Sequence, residues 1–177
     1  MEAAASSELT VKPSEAYSAI RKVLKAGRVP MLHGSPAIGK SSIIHKIAEA
    51  SKLKVIDLRL SQCEPTDMLG FPYVDNTRHK SGYVPMDTFP VEGDAIPEGY
   101  NGWLLFLDEL TSATPPVQAA AYKLILDKMV GIYKLHPMCF IVGAGNLESD
   151  NAVVHPMSTA LKSRMTHFRL KLDVPEW

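Results

Sequence analysis

Along the chain, stretches with an apolar period near 3.6 alternate with short apolar runs of strand length. The period predicts helices over residues 14–26, 40–51, 115–130 and 156–164, and a helical turn over 65–69. Ser14 is the expected cap of the first helix and Gly27 its stop. In the second, Ile43, Ile44, Ile47 and Ala48 share one face. The apolar runs predict strands over 29–33, 54–60, 103–107, 138–144 and 167–172. Pro30 cannot donate to a central ladder and fits only at the first positions of its strand. Residues 103–107 and 138–144 are continuously apolar, which suits strands buried on both faces. Trp103, Phe106 and Cys139 are therefore expected in the core. A Gly- and Pro-rich stretch, 70–102, carries a predicted hairpin of 71–74 and 82–86 around the polar tip 75–81. Five strands with helical crossovers predict an α/β fold of three layers around a mainly parallel, five-stranded sheet. Residues 1–10 are expected to form a mobile tail, and 11–177 one domain.

Composition narrows the function classes. Nineteen basic residues balance nineteen acidic ones, which argues against nucleic-acid binding through a broad basic surface. Cys63 and Cys139 are too few for a disulfide framework or a Cys-rich zinc site, and are expected to be reduced. No apolar run is long enough for a transmembrane helix, and the first ten residues lack the pattern of a secretory leader. The expectation is a cytoplasmic protein with no membrane partner.

One motif then changes the picture. Gly34-Ser35-Pro36-Ala37-Ile38-Gly39-Lys40-Ser41 matches G-x-x-x-x-G-K-[ST] in full, after a predicted strand and opening a predicted helix. Its glycines let the backbone curl so that N–H groups face phosphate oxygens, and the helix N-terminus adds partial positive charge. Residues 34–42, with Ser42 at the end, are the expected nucleotide cradle. Lys40 would reach the β- and γ-phosphates and Ser41 would ligate Mg²⁺, making ATP and Mg²⁺ the expected ligands.

A second motif is the apolar run Trp103-Leu104-Leu105-Phe106-Leu107 ending in Asp108-Glu109. Alone, such a pair could be a solvated acidic turn. Beside a phosphate loop, Asp108 suits the Mg²⁺ shell and Glu109 suits the base that polarises an attacking water. A binding module or nucleotide kinase needs only the first carboxylate; the second favours hydrolysis.

In this order and spacing the motifs resemble the AAA+ ATPases, and specifically their MoxR-like group. Thr114-Pro115-Pro116-Val117-Gln118-Ala119-Ala120 looks like the start of the helix that follows the acidic pair there. Phe140 to Asn146 looks like the strand that ends in the first sensor. The resemblance implies that Asn146 orients the water or contacts the γ-phosphate. Ala160-Leu161-Lys162-Ser163-Arg164-Met165 looks like the helix end that carries an arginine finger, which implies that Arg164 acts on the nucleotide of a neighbouring subunit. Asp67-Met68-Leu69-Gly70 and the following hairpin resemble that group's insert. The resemblance implies a P-loop NTPase base domain working as a homo-oligomeric, hexameric ring. It implies a remodelling or chaperone-type ATPase, with a protein substrate or a von Willebrand factor A-type partner. In this group the acidic pair is often followed by an apolar residue and Asn-Arg; here Leu110-Thr111-Ser112 stands there. The small helical lid of the AAA+ architecture would follow residues 173–177, so the expectation is a base domain without a C-terminal lid.

Several residues keep a plainer reading. Arg164 could bind the last carbonyls of its own helix, and Asn146 could be a turn residue. His33 reads as a packed residue, since phosphoryl transfer needs positioning rather than an imidazole base. Arg78, His79 and Lys80 form a basic hairpin tip, either solvated or facing a substrate in a ring pore. Competing functions are a nucleic-acid-linked AAA+ motor or loader and a nucleotide-dependent scaffold with little turnover. A P-loop kinase would need an acceptor site and a basic lid, and neither is visible.

Overall fold

The computed structural model describes residues 8–147 and 154–171. Ten strands and five helices follow in chain order: β1 (Leu9–Val11), α1 (Pro13–Lys25), β2 (Val29–His33), α2 (Lys40–Ser51), β3 (Leu53–Arg59), α3 (Pro65–Leu69), β4 (Phe71–Asp75), β5 (Lys80–Val84), β6 (Gly102–Asp108), α4 (Pro115–Asp127), β7 (Met129–Val130), β8 (Tyr133–Lys134), β9 (Cys139–Gly145), α5 (Thr159–Arg164) and β10 (Met165–Leu170). Six of the strands pair in parallel, in the order β1-β10-β2-β9-β6-β3.

Alternation along each central strand sends side chains to two separate cores. Leu104 and Phe106 of β6 join Leu32, Val142 and Phe168, against Ile20 of α1 and Ile44 and Ile47 of α2. Leu105 and Leu107 join Met31 and Ile141, against Met68 of α3, Val117 and Leu124 of α4 and Leu161 of α5. β6 and β9 are buried on both faces for this reason, as their unbroken apolar runs predict. Trp103, Phe106 and Cys139 are core residues. Burial holds the Cys139 thiol up at about 12, so it stays protonated and unreactive.

Where the elements differ from the sequence expectation, the reasons are local. The sheet has six strands, not five, because Leu9 and Thr10, expected in the tail, pair with Phe168 and Arg169 of β10. Ser14 lies inside α1 instead of capping it: Pro13 takes the first helical turn, and the Glu15 carboxylate accepts the Lys12 N–H at 3.0 Å. Pro30 is tolerated in a central strand because pairing of β2 with β9 begins one residue later, at Met31. α4 stops at Asp127 because Lys128 turns left-handed (φ +54°) and the chain folds back as the β7–β8 hairpin around Gly131. Ser158 shortens α5 by capping it, its hydroxyl accepting the Leu161 N–H at 3.2 Å. The last strand starts at Met165, two residues early. The expected insert hairpin forms as β4–β5, and its tip is not a free basic patch. Asp75 accepts the N–H groups of Thr77 and Arg78 and the Nε–H of Arg78. Residues 1–7 of the expected tail and 172–177 before the expected lid lie outside the described residues.

All six parallel strands point one way, so the ends of β2, β3, β6 and β9 meet at one edge of the sheet, where α/β folds bind ligands. Phe106, fully buried between sheet and helices, measures how tightly this platform is packed. Phe106→Ala is expected to lower unfolding free energy by about 3–5 kcal/mol in guanidinium titration. A loss below about 1 kcal/mol would contradict the packing described.

Candidate functional site

β2 delivers the chain to the phosphate loop and α2 carries it away. The loop is shaped by left-handed residues at Ala37 (φ +62°) and Gly39 (φ +95°). For Ala37 that conformation costs about 1–2 kcal/mol, strain of the kind stored at ligand clamps. A Cβ at Gly39 would meet no protein atom within 4 Å, so the constraint on this glycine is conformational and the space beside it is open. The Ile43 N–H bonds the Gly39 carbonyl and starts α2. The Lys40 ammonium, on a buried side chain, donates to Gly34 O (2.6 Å), Ser35 O (3.0 Å) and Asn146 Oδ1 (3.1 Å).

A cavity of about 350 Å³ opens here, lined by Lys40, Ser41 and Ser42 of the loop, with Asp108, Glu109 and Asn146, and bounded by Pro36, Ala37 and Gly39. Six sequence-predicted side chains thus share one space. Gly34 closes the loop's base, donating its N–H to Gly145 O, while Ser35 and Ile38 face a second opening beside Thr10 and Leu170. Arg164 lies apart from this cavity, exposed at the end of α5, and its side chain makes no hydrogen bond or ion pair among the described residues. Its place in the last turn of α5 also fits the plainer reading, a cation facing the last carbonyls of its own helix.

Asp108 sits half-buried at the end of β6. Burial pushes its carboxyl pKa up, and the charges of Asp57 and Glu109 add to this; the Glu109 N–H at 2.8 Å and the Lys40 charge oppose it. A desolvated carboxylate among like charges calls for a cation. Among the described residues no group of three or more His, Cys, Asp and Glu could hold a metal. Magnesium needs no such cage, since one or two carboxylates with phosphate oxygens and water suffice. Ser41 and Asp108, two oxygen donors on one cavity, fit that requirement.

Glu109 is left-handed (φ +55°), which turns the chain sharply after β6 into the 3₁₀ turn Leu110–Ser112. Its carboxylate accepts the Ser61 hydroxyl and lies 3.6 Å from Arg59 Nε, in a partly exposed pair. Ser61 and Arg59 escaped the sequence reading. They reach Glu109 because β3 pairs with β6 so that Arg59 stands opposite Asp108. No local pattern marks them; only the strand order brings them here. As the base for water, Glu109 would act with Oε2 engaged by Ser61 and Oε1 beside Arg59.

His33 is packed, as expected, and has a partner that sequence did not reveal. Its Nε2 lies 2.8 Å from His167 Nδ1, with the rings stacked at 5.1 Å. His167 Nε2 lies 2.8 Å from Lys162 O, which can only accept, so His167 Nε2–H is the donor of that bond. Glu8 Oε1, 3.9 Å from His33 Nε2, is beyond hydrogen-bond distance. Burial first, then the charges of His167, Lys162, Arg169 and Lys40, hold the His33 pKa down at about 4.

No family model matches the chain, and no curated protein matches it. Solved structures do. One is described as a "putative ATPase" from Cytophaga hutchinsonii, with TM-score 0.66 and 18% identity over 94% of this chain. Another is a RuvB mutant from Thermotoga maritima, with TM-score 0.58 and 19% identity over 92% of this chain. The chain spans about half the length of each, 49% and 46%. The likeness shows the fold: a mixed α/β architecture with a mainly parallel sheet flanked by helices. No helix among the described residues is long and apolar enough to cross a membrane.

The depressed His33 pKa makes stability fall in acid. Below about pH 6.5 the unfolded chain binds a proton that the folded chain refuses until about pH 4. Stability relative to His33→Gln is therefore expected to drop by about 3 kcal/mol between those limits. Denaturant titrations of both proteins across this range check it; parallel pH profiles would contradict it.

Proposed function

We propose that the protein is an ATP-binding and ATP-hydrolysing AAA+ subunit of MoxR-like remodelling type, acting as a ring-shaped homo-oligomer. The observation that carries this reading is the convergence of Lys40, Ser41, Asp108, Glu109 and Asn146 on one cavity at the strand ends. Lys40 and the N–H groups of residues 34–42 would hold the phosphates, and Ser41 and Asp108 would hold Mg²⁺. Bound magnesium neutralises phosphate charge during transfer. Glu109 takes a proton from the attacking water, and Asn146 fixes that water's position. The exposed Arg164 is free to reach the next subunit's nucleotide, where it stabilises developing charge. A protein substrate or a von Willebrand factor A-type partner is the expected target of the movement.

One observation favours a second reading, a nucleotide-dependent scaffold with little turnover: Ser61 and Arg59 engage the Glu109 carboxylate and compete with water for it.

Turnover separates the two. Steady-state ATPase activity per subunit is expected to rise with protein concentration. Glu109→Gln should lower it at least about a hundredfold. Arg164→Ala should lower it about a thousandfold. Mixing the two inactive variants should restore activity, because an Arg164→Ala subunit keeps Glu109 and can borrow its neighbour's arginine. Concentration-independent turnover, untouched by Arg164→Ala, would refute the shared site. ATP binding without turnover at any concentration would favour the scaffold.

A further inference from the structure

Hydrolysis needs Glu109 and Asn146 at a fixed separation, since one accepts the water's proton and the other orients it. The sheet alone does not fix that separation. Pairing between β6 and β9 ends at Leu107 with Gly143, so Glu109 and Asn146 both lie beyond the last rung. Past that point Thr111 spans the gap. Its side chain is 4% exposed and bonds Asn146 twice. The hydroxyl accepts the Asn146 N–H at 3.1 Å and faces the Asn146 carbonyl, as donor, at 3.4 Å.

Both neighbours of this contact are built for it. A Cβ at Gly145 would stand 2.7 Å from both Thr111 Oγ1 and Cγ2, so the end of β9 approaches this closely because Gly145 has no side chain. On the other side, the turn that holds Thr111 starts at Glu109, whose carbonyl accepts the Ser112 N–H at 2.9 Å. The buried Gln118 amide clamps that turn, donating to Leu110 O at 3.2 Å and Ala113 O at 3.4 Å. The Thr111 carbonyl accepts the His155 N–H at 2.7 Å. Thr111 thus has no freedom to shift without carrying Glu109's turn with it.

We propose that Thr111 is a positioning residue for ATP hydrolysis: its hydroxyl locks the backbone of Asn146 to the Glu109 turn, so that acid and sensor amide move as one body. This rests on the hydrolytic reading above. Thr111 does not line the Lys40–Asp108 cavity; it acts through Asn146.

Thr111→Val keeps the shape and deletes the hydroxyl, leaving the partly buried Asn146 N–H without its acceptor. It is expected to lower kcat about tenfold or more, with KM for ATP changed less than about twofold. Thr111→Ser keeps the hydroxyl and should restore kcat to within about threefold of wild type. In an Asn146→Ala background, Thr111→Val should add little further loss, since the group it positions is already gone. Thr111→Ala repeats the deletion without the branched methyl and serves if the valine protein fails to fold. The ratio of ATPγS to ADP affinity, read by calorimetry, should fall in the valine or alanine protein and recover in the serine protein. Unchanged kcat in Val or Ala, equal losses in Ser and Val, or full additivity with Asn146→Ala would each overturn the proposal. A wild type that hydrolyses nothing would defeat the hydrolytic reading and with it any role of Thr111 in turnover, leaving its lock on Asn146 to be tested by binding. The affinity ratio then decides: a fall in Val reversed in Ser supports Thr111, and an unchanged ratio overturns it.

Discussion

A positive charge on a buried side chain organises this molecule's upper edge. The Lys40 ammonium is held by two loop carbonyls and by the Asn146 side chain. Burying an ammonium is costly unless every proton finds an acceptor. The carbonyls of Gly34 and Ser35 can reach it only if the loop curls, and the curl demands left-handed backbone at Ala37 and Gly39. The Asn146 amide reaches it only if β9 lies beside β2, which is the observed sheet order. Loop strain, strand order and the placement of Asn146 thus all meet in the seating of one charge.

The opposite charge meets the same constraint differently. Asp108 and Glu109 leave β6 together, but only Asp108 stays at the half-buried strand end, where desolvation and like charges raise its pKa. Glu109 lines the same cavity, but its left-handed backbone brings its carboxylate to Ser61 and Arg59. Two adjacent carboxylates therefore receive different environments, one suited to a cation and one held in reserve. Such separation of roles by environment is how paired acids divide binding from chemistry.

Much of this was legible in sequence because the signals are local. The helix from Lys40 to Ser51 and the turn from Pro65 to Leu69 match expectation residue for residue, since apolar spacing and flanking Gly or Pro define them. The phosphate loop and the acidic pair are contiguous motifs, and an unbroken apolar run announces its own burial. What escaped is non-local or weakly patterned. β1 has three residues and little burial, so no periodicity marks it. The partnerships of Ser61 with Glu109, Thr111 with Asn146 and His33 with His167 join positions 48, 35 and 134 residues apart. They exist because strand order places them together, and a single sequence carries no trace of that order. Lys128 ended α4 through a backbone angle that its side chain does not advertise.

The central claim is that the cavity at residues 34–42, with Asp108 opposite, is a magnesium–nucleotide site. Calorimetric titration with the slowly hydrolysed analogue ATPγS, with and without Mg²⁺, for wild type, Lys40→Ala and Asp108→Asn, tests it most directly. The account predicts binding by wild type that magnesium tightens, loss of binding in Lys40→Ala, and loss of the magnesium effect alone in Asp108→Asn. Equal binding by wild type and Lys40→Ala, or no heat in any of the three at millimolar analogue, would contradict it.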